Sequence, residues 1–177
     1  MRIKKFAALL LATGLAFSAN AHAQGAAPEM FGVREVVVEY ARFDDPKAAE
    51  ACGLTRENIA STLAAALNNT GVPAVAVTDA RPLSLGVARI QLVPEIYAYA
   101  NESLDCVSWV SLTAENRVSA VIPPVPTLRS VNVVYWQQHT KIISGQSIHQ
   151  QRVTDTLQKM VAQFVQQYKL DQPPEPK

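Results

Sequence analysis

The chain has 177 residues, 49% of them hydrophobic and 18% charged, with a formal net charge of +1 at pH 7. That length suits one domain with an ordinary hydrophobic core. Sixteen Lys and Arg against fifteen Asp and Glu leave no basic excess, which argues against nucleic acid or an anionic membrane surface as a partner.

Arg2, Lys4 and Lys5 precede an apolar run from Phe6 to Phe17, and Ala21-His22-Ala23 puts small side chains where a signal peptidase cuts. Residues 1–23 are therefore predicted to be a signal peptide, with the mature chain starting at Gln24. The apolar run is shorter than the roughly 20 residues a spanning helix needs, so no transmembrane segment is expected after cleavage. Gln24 is not a cysteine, so no lipid anchor is expected either. Without the three leader cations the balance is 13 basic against 15 acidic residues, a net of −2. The expected location is periplasmic or secreted. Two cysteines, Cys52 and Cys106, are an even number in an exported chain and are predicted to form a structural disulfide.

Residues 24–32 are small and Pro-containing, and are expected to be a flexible N-terminal segment. A single α+β domain is expected over 33–171, followed by a Pro-rich tail at 172–177. Val33 to Phe43 alternates Val36, Val38 and Tyr40 with Glu35 and Glu39, the period of a half-buried strand, and Asp44-Asp45-Pro46 ends it as a turn. Thr55 caps a helix with the stripe Ile59, Leu63, Ala66 and Leu67, and Gly71 closes it. Ala74 to Thr78, Val87 to Tyr99, Leu104 to Leu112 and Val118 to Ile122 are rich in β-branched and aromatic residues and read as strands. Pro94 is expected at an edge, a bulge or a break. Asn101-Glu102-Ser103 and Ala114-Glu115-Asn116 read as hairpin connections. Pro123, Pro124 and Pro126 form a stiff passage across one end. Val131 to Trp136 is a strand, and Lys141 to Ser144 continues it after a turn at Gln138 to Thr140. The last helix follows a capping box at Ser147 and Gln150, with the stripe Val153, Leu157, Met160, Val161, Phe164, Val165 and Tyr168. The sum is an α+β fold: a mostly antiparallel sheet of about five strands, two helices on one face, and one disulfide.

Chemistry-bearing patterns are sparse. His139, on the predicted turn, and His149, near a helix start, lack ligand-spaced neighbours and read as surface or capping residues; no metal or cofactor is expected. No nucleophile elbow or phosphate-cradling glycine run is present. Among the carboxylates nothing singles out a pair, and Asp44 and Asp45 read as turn residues. Tyr97 and Tyr99 alternate on one strand face, and Trp109 and Trp136 also sit on strands; such residues serve sheet cores and partner interfaces alike. Tyr135 and Trp136 are neighbours and point to opposite faces of a regular strand. A pre-stiffened loop and an exposed aromatic both favour binding, so Pro123, Pro124, Pro126, Tyr135, Trp136 and His139 are the partner-binding candidates.

The order of a first strand, the helix Leu54 to Gly71, the strand block with Val131 to Trp136 and a terminal helix ending Gln163-Phe164-Val165-Gln166-Gln167-Tyr168 resembles small cell-envelope accessory domains. These include the N-terminal domain of the translocation protein TolB and the lipopolysaccharide-assembly lipoprotein LptE. The resemblance implies a non-catalytic binding or assembly role with an envelope protein partner, and no site residue is carried over. An inhibitor or immunity-type protein, and a hydrolase with a dispersed site, are the alternatives.

Overall fold

A computed structural model describes residues 30–77, 88–101, 105–124 and 126–172. The predicted signal peptide, most of the segment expected to be flexible, and Pro173 to Lys177 lie outside the described residues. Met30, within that segment, is fully buried, and its N–H donates to Asp171 Oδ2 at 3.3 Å.

The elements run β1 (Glu35–Val38), β2 (Arg42–Phe43), α1 (Pro46–Ala51), α2 (Arg56–Asn69), β3 (Ala74–Ala76), β4 (Arg89–Ala100), β5 (Asp105–Val121), β6 (Leu128–Gly145) and α3 (Gln146–Asp171). The α+β class holds, but the sheet is mixed and has six strands, in the order β3-β1-β4-β5-β6 with β2 also on β4. β1 runs parallel to β3 and β4, β2 runs parallel to β4, and only β4-β5-β6 is antiparallel. The physical reason is α2: a crossover helix between β1 and β3 returns the chain in the same direction, which a hairpin cannot do.

Asp45 and Pro46 do more than end a strand. Asp45 Oδ1 accepts from the N–H groups of Lys47 and Ala48 at 2.9 and 3.1 Å, and Pro46 takes the first helical position, so the pair starts α1. Asp44 Oδ1 accepts from Ala98 N–H at 3.2 Å, tying this corner to β4. Gly53 (φ +74°) separates α1 from α2, and Gly71 (φ +81°) closes α2 in the left-handed conformation expected of it.

Pro94 lies inside β4, opposite Leu112 of β5. The carbonyl of Leu92 and the N–H of Ala98 both face away from β5, so by the period of two the missing N–H of Pro94 faces the same way. It falls between the stretches of β4 that pair with β1 and β2, where no ladder bond is lost.

Two expected turns are absent. Ala114 to Asn116 lies within a continuous β5, and Gln138 to Thr140 within a continuous β6. At Ala114 and Glu115 the pairing jumps from Trp136 to Val134, so Tyr135 is an extra residue in β6. That bulge breaks the alternation expected of Tyr135 and Trp136, and both are partly buried against the core.

α2 and α3 cover one face of the sheet. Ile59, Leu63 and Leu67 meet the α3 stripe, whose seven members are all buried, over Val36, Leu92, Ile96, Val110 and Leu112. α3 begins directly after β6 with Gly145 as its cap, so Ser147 and Gln150 lie inside the helix and form no capping box. The disulfide Cys52–Cys106 is formed, joining the end of α1 to the start of β5. No helix of the described residues is long and apolar enough to cross a membrane.

Candidate functional site

The sheet face away from α2 and α3 carries the candidate site. On β4 it is built by the residues sharing parity with Glu95, on β5 by those sharing parity with Ser111, and on β6 below the bulge by those sharing parity with His139. Three cross-strand rows follow: Glu95, Ser111 and His139; Tyr97, Trp109 and Lys141; Tyr99, Val107 and Ile143. Tyr97 is 53% exposed, Tyr99 65%, Trp109 47% and Ile143 65%. Trp109 stacks on the diagonal neighbour His139, with centroids 5.6 Å apart and planes inclined by 20°. Glu95, Tyr97, Trp109, Ser111, Gln137 and His139 line a shallow depression of about 250 Å³.

Three aromatics of 150–250 Å² each, about half exposed, present roughly 300 Å² of largely apolar surface. That is the size of a functional patch on a monomer and well short of the ~800 Å² each partner contributes to a standard interface. The aromatic end gives way to a charged one. Arg42 Nη1 meets Glu95 Oε1 at 3.1 Å and its Nη2 lies 3.8 Å from Glu115 Oε1, while Arg89 pairs with Glu35. Beside this network burial pushes the Glu39 carboxyl above its usual range, with Arg42 opposing and Glu115 adding to the rise.

The sequence-derived candidates do not converge. Pro123, Pro124 and Pro126 are exposed in the loop joining β5 to β6. Twelve residues, all but Thr127 in β6, separate Pro126 from His139, roughly 40 Å of extended chain. Trp136 packs edge-to-face on Phe164 at 5.5 Å on the helix side. Tyr135 is held at the bulge against the core. Only His139 joins the open aromatic face. Tyr97, Tyr99 and Trp109 are the residues the candidate set omits. Their parity with Glu95 on β4 and Asp105 on β5 was a usable signal, because alternation places them on the polar face.

His149 is not a surface residue. It is fully buried, with Nε2 2.8 Å from Ser108 Oγ and Nδ1 2.7 Å from Ser144 Oγ. The imidazole fastens the first turn of α3 to β5 and β6, and it shows no surface to solvent from which to serve as a general base. Among the described residues no group of three or more His, Cys, Asp and Glu side chains could hold a metal ion.

Burial lowers the His149 pKa from 6.5. The unfolded chain therefore takes a proton that the folded chain resists as pH falls through that value. Stability is expected to lose nothing from His149 above this range and to fall progressively below it, down to the lowered folded pKa. Urea unfolding from pH about 7.5 to about 5 checks this, and His149→Gln should flatten the slope. An equal slope in the variant would place the titration elsewhere.

No protein-family model matches the chain, and no curated protein matches it. Among solved structures it is similar to an uncharacterised protein at 10% identity, covering 77% of this chain and 92% of that one, with a TM-score of 0.38. It is also similar to a structure described as a "putative neuraminyllactose-binding hemagglutinin homolog" from Helicobacter pylori, at 9% identity, 82% and 89% coverage and a TM-score of 0.29. Both likenesses are too distant to contribute to a functional reading.

Proposed function

We propose that this chain is a non-catalytic binding or assembly module of the cell envelope, periplasmic or secreted, whose binding surface is the open sheet face. One observation carries the reading: Tyr97, Tyr99 and Trp109 stand exposed side by side on a rigid sheet, with hydrogen-bonding groups from Glu95, Ser111 and Gln137 at their rim. Large aromatic side chains with polar tips lose little entropy on binding and serve well as anchors. The disulfide agrees with an oxidising compartment, and the residue pattern at 1–23 agrees with export.

The patch is too small for an obligate partner, so the interaction is a transient one or involves a narrow ligand segment. The inhibitor reading draws on a different observation, the exposed loop at Pro123 to Pro126. It would need that loop to fill an enzyme's cleft.

Trp109→Ala tests the main reading. As a half-exposed substitution it should change the unfolding free energy by less than about 1 kcal/mol. A photo-crosslinking side chain at Tyr97 in the producing cell should yield a discrete adduct, and Trp109→Ala should abolish it. The same probe at Gln163, exposed on the outer side of α3, should yield none. No adduct at Tyr97, or one indifferent to Trp109, would refute the open-face site; an adduct at the loop with an enzyme that loses activity would support the inhibitor.

A further inference from the structure

β5 and β6 continue together beyond the rest of the sheet. The last residue of β5 paired to β4 is Glu115, opposite Gln91, whereas the β5–β6 ladder runs on to Val121 opposite Leu128. Six further residue pairs make a two-stranded arm of roughly 20 Å, with no third strand among the described residues. An isolated two-stranded ribbon is marginally stable in water, and this one ends in apolar surface. Val121 is 56% exposed, Ile122 41% and Leu128 72%, and Pro123, Pro124 and Pro126 are exposed between them. Nothing charged occurs between Arg117 and Arg129.

The charge pattern around the tip bears on what it would meet. From Asn116 to Thr154 the chain has no Asp or Glu, while Arg117, Arg129, Lys141 and Arg152 fall in the same stretch. The overall balance conceals this, because the carboxylates gather in the other parts of the chain. Arg129 adjoins Leu128 and pairs with Ala120, whereas Arg117 pairs with Asn132 three residues further from the tip. By alternation the two guanidiniums therefore lie on opposite faces of the arm. Neither forms an ion pair among the described residues, although Arg117, at the root of the arm, shares a depression with Glu39, Arg42 and Glu115, which leaves Arg129 as the cation nearest the tip. An apolar tip followed by cations on both faces is complementary to an anionic bilayer, where the tip meets the acyl boundary and the cations meet the headgroups.

We propose that the β5–β6 arm docks the protein on an anionic lipid surface, with Val121, Ile122 and Leu128 entering the interface and Arg117 and Arg129 contacting lipid phosphates. Prolines suit the tip because they have no N–H to leave unsatisfied on leaving water. One short loop and two cations give reversible, salt-sensitive binding, not a permanent anchor. The proposal is independent of the open-face site, since Trp109 lies on the far part of the same strand.

The test is sedimentation of the exported, disulfide-bonded protein with vesicles of phosphatidylglycerol and phosphatidylethanolamine, and with vesicles of phosphatidylcholine alone. Binding is expected to the first and to be much weaker to the second. Arg117→Gln and Arg129→Gln should each weaken anionic binding about fivefold. Ile122→Asp with Leu128→Asp should abolish it, and Trp109→Ala should leave it unchanged. All variants share one N-terminus, so any contribution from the leader cancels. Should the double Asp variant fail to fold, Ile122→Trp decides: brominated lipid should quench its added fluorescence. Absence of binding, binding indifferent to the tip variants, or an unquenched Trp would overturn the proposal; so would a tip that binds a protein and no lipid.

Discussion

Phe164→Ala is expected to destabilise the fold by about 3–5 kcal/mol. Phe164 is fully buried at the centre of the α3 stripe, edge-to-face with Trp136 at 5.5 Å and tilted against Tyr168 at 6.0 Å. Truncation removes both ring contacts and leaves a cavity between α3 and β6 that two large neighbours cannot collapse to fill. In a chain of this size each kcal/mol corresponds to ~2–4 °C, so the melting midpoint should drop by roughly 6–20 °C. Phe164→Leu, which keeps most of the volume, should cost much less. Circular dichroism melts of the three proteins check this. An unchanged midpoint for Phe164→Ala would mean that α3 does not pack on the sheet as described.

Loss of the disulfide should have an effect of similar size. The Cys52–Cys106 bridge closes a separation of 54 residues. Releasing it restores about 4 kcal/mol of chain entropy to the unfolded state. Both sulfur-bearing residues are buried, so Cys52→Ala with Cys106→Ala is the cleaner variant. Its urea midpoint should fall substantially, and its denaturant dependence should steepen because the uncrosslinked unfolded chain exposes more surface. Reductant should lower the wild-type midpoint towards that of the variant. Identical midpoints with and without reductant would show that the bridge contributes nothing.

The elements that could be read locally are those whose signal is local. The α3 stripe appears in the chain as three- and four-residue steps, and every member from Val153 to Tyr168 is buried. The mixed sheet has no such signature. Parallel pairing of Val36 with Ala74 and with Ile90 joins residues far apart in the chain, and only the α2 crossover hints at it. Composition misleads at Ala114 to Asn116 and Gln138 to Thr140, where polar residues look like turns but belong to long paired strands. There Glu115 is buried, 3.8 Å from Arg42 and bonded to Asn132 at 3.3 Å, contacts that only the assembled sheet supplies.

The site was partly legible. Tyr97, Tyr99 and Trp109 share parity with charged residues on their own strands, which marks the open face. The stacking of Trp109 on His139 was not legible, because it depends on β6 being continuous and in register. Nor was the inward packing of both Tyr135 and Trp136, which follows from one extra residue in β6. His149 was hidden for another reason: its partners Ser108 and Ser144 come from two different strands.

Oxidative footprinting in the producing cell reads out whether a partner covers the open face. Hydroxyl radicals should label Tyr97, Tyr99 and Trp109 readily in the purified protein, where each is about half exposed or more. In the cell these three should be protected, while Leu170, 77% exposed near the end of α3, should be labelled equally in both samples. Equal labelling of the three aromatics in the cell and in isolation would contradict a partner on this face.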